Sequence, residues 1–292
     1  MNDASSLIPG RRIVVPANGI DIEVYEAGQG DRLALLLHGF PEHAVSWRRL
    51  MPVLADMGFR VWAPNQRGYG GTTTPAERSA YSAEKLTGDI AALIDASGAK
   101  SVVLIAHDWG ALLAWTFAAR EIRPLEKLVI LNVPHPLCFK REYRDNPKQR
   151  KKSWYTRFFQ IPWLPEALLS RKGGAPVAKM LRDTCADKAK FSREILGVYA
   201  ANAARPGGMR GMINWYRVAM GDLMRATDLG GKIEVPTLVI WGEKDVALEV
   251  STLDGTDAYV ADLRILRLPN ASHWVQQDAP EEVNAAIRDF LA

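Results

Sequence analysis

A chain of 292 residues, 48% hydrophobic and 24% charged, has the balance of a folded globular protein and the length for one large α/β domain with an insertion, or for two small domains. A net charge of +4 is too small to point to a nucleic-acid partner, and two cysteines, Cys138 and Cys185, supply neither a disulfide framework nor a metal quartet, which fits a reducing, cytoplasmic compartment. The first ten residues lack the basic start and apolar core of a signal peptide, and no apolar run has the length of a membrane span, so membrane insertion is not expected.

Residues 12–15 and 20–26 predict two strands joined by a turn at Asn18-Gly19, a strong hairpin signal. Ile20, Ile22 and Val24 alternate with Asp21, Glu23 and Tyr25, the pattern of a half-exposed antiparallel pair. Residues 33–37 form a continuous apolar strand that runs into His38-Gly39-Phe40-Pro41-Glu42. A strand at 59–63 precedes the glycine-rich Asn65-Gln66-Arg67-Gly68-Tyr69-Gly70-Gly71, which is not a phosphate-binding loop. Residues 82–96 fit a helix capped by Ser82, with Leu86, Ile90, Leu93 and Ile94 on one face. Strands follow at 102–106 and 125–131. Residues 134–228 then hold no convincing strand, only helical patterns, a basic stretch from Lys140 to Lys152 and a proline-rich turn. Strands resume at 236–241 and 263–268, and an amphipathic helix ends the chain, with Asp278 and Glu281 suited to its start. Alternating strands and helices imply a mostly parallel sheet covered on both faces, and the helical interval reads as an insertion capping its carboxyl edge, where such sheets bind ligands.

The strand at 102–106 leads into Ala106-His107-Asp108-Trp109-Gly110 and then a long Ala/Leu-rich helix. Small-x-nucleophile-x-small between strand and helix is the pattern of a nucleophile elbow. Its centre here is Asp108, and Gly-x-Ser-x-Gly occurs nowhere in the chain. A carboxylate nucleophile attacks carbon and leaves an ester, which must be hydrolysed by a water that a base activates. Of five histidines, His273 alone follows the last strand, the position the chain order nucleophile, acid, histidine requires. The acid is expected after a late strand. Asp245 in Trp241-Gly242-Glu243-Lys244-Asp245 is favoured, and Glu243 is its competitor. The backbone N–H groups of Phe40 and Trp109 are the candidates for an oxyanion hole, and Phe40-Pro41 is a candidate cis peptide. Bland readings compete with these: a surface histidine, a turn aspartate, a tight strand exit at His38-Gly39.

His38-Gly39-Phe40-Pro41-Glu42, Arg67-Gly68-Tyr69-Gly70, His107-Asp108-Trp109-Gly110, Gly242-x-x-Asp245 and His273-Trp274, in that order over essentially the whole chain, resemble the epoxide hydrolase branch of the α/β-hydrolase superfamily. The resemblance implies the α/β-hydrolase fold, with a mostly parallel eight-stranded sheet, helices on both faces and an inserted helical cap. Residues 1–133 and 229–292 would form the core, and 134–228 the cap. It implies two cap tyrosines that hold and protonate the epoxide oxygen. Tyr216 is one candidate, in Asn214-Trp215-Tyr216-Arg217; Tyr155 is the other, five residues before the Gln of Phe159-Gln160-Ile161-Pro162. Both also suit plain packing, since Met212, Trp215, Tyr216 and Ala219 share a helical face and Tyr155 sits among Trp154, Phe158 and Phe159. Trp154 and Trp215 are expected to line an apolar substrate pocket. Ala106 stands where the family usually has glycine.

The implied reaction takes a small apolar epoxide and water to a vicinal diol through an ester on Asp108, with no cofactor and no metal. The nearest rival is a haloalkane dehalogenase, which shares the aspartate but commonly needs Asn where this chain has Phe40. A fluoroacetate-type dehalogenase would have Arg in place of Trp109. A non-catalytic ligand-binding protein of the same fold is the alternative from another class. An oligomer is compatible with all of these.

Overall fold

The computed structural model describes residues 4–226 and 229–292; the expected cap boundary at 228 and the first three residues of the leading segment lie outside them. The strands are β1 (Arg11–Ala17), β2 (Ile20–Ala27), β3 (Arg32–Leu37), β4 (Arg60–Pro64), β5 (Ser101–His107), β6 (Lys127–Leu131), β7 (Thr237–Gly242) and β8 (Leu263–Leu268). They form one eight-stranded sheet in the order β1-β2-β4-β3-β5-β6-β7-β8. β2 runs antiparallel to β1 and β4, and the remaining neighbours are parallel. The central β3, β5 and β6 are leucine, valine and isoleucine almost throughout and buried on both faces, as strands sandwiched between helical layers must be.

The helices are α1 (Met51–Asp56), α2 (Ala83–Ser97), α3 (Trp109–Ala119), α4 (Pro136–Asp145), α5 (Pro147–Lys152), α6 (Trp154–Phe158), α7 (Leu164–Thr184), α8 (Arg193–Ala204), α9 (Gly208–Arg217), α10 (Ala219–Arg225), α11 (Val275–Asp278) and α12 (Pro280–Leu291). α7 is two helices joined at a kink, where Arg171 to Gly174 leave the helical region. Ser82 caps α2 as the sequence predicts, its side chain accepting from the Lys85 N–H at 3.3 Å. Between β6 and β7 the described residues up to 226 hold α4 to α10 and no strand. Among the described residues no helix is long and apolar enough to cross a membrane.

Two local expectations need correction, and one short helix goes unread. β2 is not half exposed: Glu23 and Tyr25 are buried as well as Ile22 and Val24. β2 lies between two strands, and the glycine-rich loop folds over its second face, where Glu23 accepts from the Gly71 N–H at 2.7 Å and pairs with Arg12. Asp278 does not start the last helix. It ends α11 and accepts from the Ser272 N–H at 2.8 Å, while Pro280 opens α12. The six-residue α1 goes unpredicted, since so short a segment has no readable period.

The carboxyl ends of β3, β5, β6 and β7 lie side by side in the sheet. The loop after β3, the β5–α3 turn, Asn132 and the loop after β7 therefore meet at one edge, with the helices between β6 and β7 above them.

Candidate active site

β5 ends at His107 and α3 begins at Trp109, so Asp108 carries the whole reversal of direction. Its backbone sits at φ 47°, ψ −120°, a region L residues avoid at a cost of about 1–3 kcal/mol. The turn closes because its neighbours lack side chains. A Cβ on Gly39 would stand 2.2 Å from the Asp108 Cβ, and one on Gly110 would stand 2.4 Å from the Leu37 carbonyl oxygen. Ala106 is completely buried. The Asp108 carboxylate is thereby aimed at the cleft. Its Oδ1 accepts from the Phe40 N–H at 2.6 Å, and its Oδ2 lies 3.4 Å from the His273 Nε2. The Phe40-Pro41 peptide is cis. Burial opposes the charge on Asp108, but the His273 contact, the nearby His107 and the Phe40 N–H outweigh it and hold its pKa below the ordinary value.

His273 turns its other nitrogen to Asp245: Nδ1 to Oδ2 is 2.7 Å. Asp245 is fixed on every side. The Ala247 and Leu248 N–H groups donate to Oδ1 at 2.7 and 2.9 Å, and Asn132 Nδ2 donates to Oδ2 at 2.8 Å. Glu243, the competitor, points instead to Arg267 at 2.6 Å. Desolvation alone would lower the His273 pKa; two carboxylates, Asp245 and Asp108, reverse that and raise it well above 6.5. The protonated ring is thus favoured while Asp108 carries its charge.

Sequence reasoning missed the groups behind this pair. Asn132, at φ 46° just after β6, also accepts from the Gly242 N–H at 2.8 Å, so it ties two strand ends to the acid. His107 bridges from the Glu42 carboxylate (2.6 Å) to the His273 carbonyl oxygen (2.8 Å), and Ser272 is held by Asp278. A polar Asn132 directly after the apolar run Leu128-Val129-Ile130-Leu131 is the one sequence signal that could have flagged it. Asn132→Ala is expected to cost about 1–3 kcal/mol of stability, because it leaves a buried N–H and a buried carboxylate short of partners. Glu243→Ala, at the surface, should stay within about 0.5 kcal/mol. Urea unfolding of the two variants checks the contrast.

Tyr155 on α6 and Tyr216 on α9 meet edge to face, with ring centroids 5.9 Å apart. Tyr216 also packs on Phe40, Trp109 and Phe159 at 5.1, 5.0 and 4.8 Å. Burial first, and then the Asp108 charge, push both phenol pKa values far up, so both hydroxyls keep their protons at neutral pH. Two residues lace α6 to α9. Gln160 Nε2 donates to the Tyr216 carbonyl at 3.1 Å, and Arg217 donates to the Phe159 and Ile161 carbonyls at 2.9 and 2.7 Å while pairing with Glu166. Trp215 is a correction. It lies behind the site, 1% exposed, with its indole N–H on the Arg67 carbonyl at 3.0 Å and its ring on Trp109 and Tyr69. Residues 215 and 216 leave a helix about 100° apart, and here that turn sends Tyr216 to the cavity wall and Trp215 into the core. Trp154 does line the cleft, at its outer rim and 64% exposed.

Asp108, Tyr155 and Tyr216 sit on the walls of two cavities at once. One, of about 260 Å³, runs outward past Phe40, Phe158, His273 and Trp274 to Lys152, Trp154 and Val246. The other, of about 50 Å³, is lined by Leu112, Val133, Phe139, Met220 and Leu248. The arrangement can present a carboxylate to carbon where two apolar lobes meet, with two protonated phenol O–H groups beside it and a histidine behind it. Among the described residues no cluster of His, Cys, Asp or Glu is placed to hold a metal ion.

A family model described as the alpha/beta hydrolase fold matches residues 35–280. Epoxide hydrolase 3 of Xenopus tropicalis is 38% identical over 279 residues, covering 92% of this chain and 75% of that protein. Epoxide hydrolase A of Mycobacterium tuberculosis is 33% identical over 316 residues, covering 95% of this chain and 96% of that one. The solved structure of a Bacillus megaterium epoxide hydrolase in complex with an inhibitor superposes with a TM-score of 0.88 at 30% identity, over 96% of this chain and 99% of the other.

Proposed function

The chain belongs to the alpha/beta-hydrolase-fold family and is an epoxide hydrolase, and on that premise we propose that Asp108 is its carbon nucleophile and that residues 134–228 act as the cap over it. The observation that carries this reading is the Asp108 carboxylate, held by the Phe40 N–H and 3.4 Å from His273, sharing the walls of two cavities with Tyr155 and Tyr216.

Asp108 Oδ2 attacks a ring carbon and forms an ester as the ring C–O bond breaks. The released oxygen takes a proton from Tyr155 or Tyr216, whose high pKa values make them poor acids for water but adequate for an alkoxide. The ester is neutral, so His273 loses one of the two carboxylates that kept it protonated. Its surplus proton balances the one the tyrosine gave up, and the ring becomes a base. Neutral His273, oriented by Asp245, then takes a proton from water, which attacks the ester carbonyl carbon. The Phe40 and Trp109 N–H groups hold the oxyanion, and His273 returns the proton to the departing diol oxygen. The unequal lobes suit an epoxide with one bulky apolar substituent, seated in the outer lobe, and a small or absent one at the other carbon. Two free, buried cysteines favour a reducing compartment such as the cytoplasm.

The test is a single turnover in ¹⁸O-labelled water. Because water attacks the carboxyl carbon, the label is expected in the Asp108 peptide and not in the first diol formed. Label in that diol would mean direct attack of water on the epoxide and would remove Asp108 from the role. Halide release from haloalkanes would favour the dehalogenase; against it, the Trp109 side chain that would hold a halide already hydrogen-bonds Tyr216.

A further inference from the structure

We propose that the outer rim of the cavity is a docking surface for an anionic lipid interface, from which apolar substrate passes directly into the outer lobe. Among the described residues six large hydrophobic side chains are exposed, and four of them gather near this rim in chain or space: Trp154 at 64%, Ile161 at 43%, Trp163 at 74% and Val246 at 50%. Trp154 and Val246 line the mouth of the 260 Å³ cavity itself.

Trp154 stands on α6, Ile161 and Trp163 in the turn between α6 and α7, and Val246 in the loop after β7. The Ser153 N–H bonds to the Gln149 carbonyl at 2.9 Å and the Thr156 N–H to the Ser153 carbonyl at 3.1 Å, so α5 and α6 continue nearly as one helix. Gln149, Ser153 and Phe159 face inward, at most 5% exposed. Arg150, Lys151, Trp154, Arg157 and Ile161 therefore recur outward at three- and four-residue spacing. An exposed segment whose outward side carries tryptophan and isoleucine among bases is built for an interface and not for water alone.

Charge chooses the partner. Residues 147–163 contain Lys148, Arg150, Lys151, Lys152 and Arg157 and no acidic residue. Lys152 reaches Glu249 at 3.3 Å, while among the described residues the other four bases form no ion pair. Unpaired bases interleaved with tryptophan and isoleucine match a surface that is anionic outside and apolar beneath: headgroup phosphates over acyl chains. The delivery role rests on the epoxide hydrolase reading; the docking itself does not.

Co-sedimentation of the full chain with vesicles tests it. At low salt the protein is expected to pellet with phosphatidylcholine vesicles containing phosphatidylglycerol, to stay in solution with pure phosphatidylcholine, and to be released by added salt. The triple variant Lys148→Glu, Lys151→Glu, Trp163→Ser should lose at least about tenfold in vesicle affinity, while Lys85→Glu, on α2, should not. None of the three altered residues touches the cavity, so hydrolysis of a water-soluble epoxide should be unchanged. The thermal melt reports folding even if no epoxide is turned over. The proposal is overturned if the wild type stays in the supernatant, binds both vesicles equally, or binds as tightly after the triple substitution. Retention on duplex DNA without vesicle binding, or a dimer in solution that Trp163→Ser abolishes, would assign the surface to a different partner and also overturn it.

Discussion

His273→Gln is expected to stop turnover with the reaction arrested on the enzyme, so that mass spectrometry finds Asp108 heavier by one whole epoxide. Glutamine retains a polar side chain beside Asp108 but cannot take a proton from water, so ring opening proceeds and ester hydrolysis does not. The loss in kcat should be about 10²–10⁴-fold, the usual worth of a positioned general base. An unmodified Asp108 after incubation with epoxides that the wild type converts would sink the covalent mechanism. The wild type should show a milder version of this arrest at acid pH. Asp108 has a lowered pKa and stays ionised as the pH falls, so alkylation continues. His273 in the ester form lacks the Asp108 charge that raised its pKa, and each protonated ring is a lost base. Ester therefore accumulates as pH falls and clears as pH rises; rapid quench at acid and neutral pH measures both fractions.

Replacing Tyr155 and Tyr216 together by phenylalanine is expected to abolish the ester itself. With either hydroxyl left, the alkoxide still has one donor, so each single variant should slow ring opening by about 10²-fold and the pair by about 10⁴-fold or more. Combining the double change with His273→Gln separates the steps, because the Asp108 adduct should then fail to form. The rings remain, and so do the edge-to-face contacts among Tyr155, Phe159 and Tyr216, so the loss of stability should be limited to about 1–3 kcal/mol, from the buried Trp109 N–H left without its Tyr216 partner. Adduct formation at the wild-type rate would reduce the two tyrosines to packing residues.

Much of the fold was legible because each strand and helix advertises itself through its own neighbours. The run Val102 to Ile105 reads as a strand, and Ala106 to Gly110 reads as an elbow, since a short-range turn is written in adjacent residues. His273 and Asp245 were legible for a related reason: each follows a strand, and parallel strands deliver their following loops to one edge. The reading failed where a distant element changed the environment. β2 looked half exposed until the glycine-rich loop covered it, and Asp278 looked like a helix start until Ser272 claimed its carboxylate.

The linear chain by itself determined the alternation of strands and helices, the carboxylate at the elbow, and the order of Asp108, Asp245 and His273. Only the tertiary structure decided what stands behind and above them. Asn132 meets Asp245 across 113 positions of sequence, and His107 meets the His273 carbonyl across 166. Gln160 and Arg217 lace two helices more than fifty residues apart, which sets the tyrosine pair over the neck between a large lobe and a small one. Trp215 went to the core and Trp154 to the rim for the same reason. Hydrophobic period encodes which face of an element is buried, but which partner buries it depends on the order in which the sheet and the overlying helices assemble.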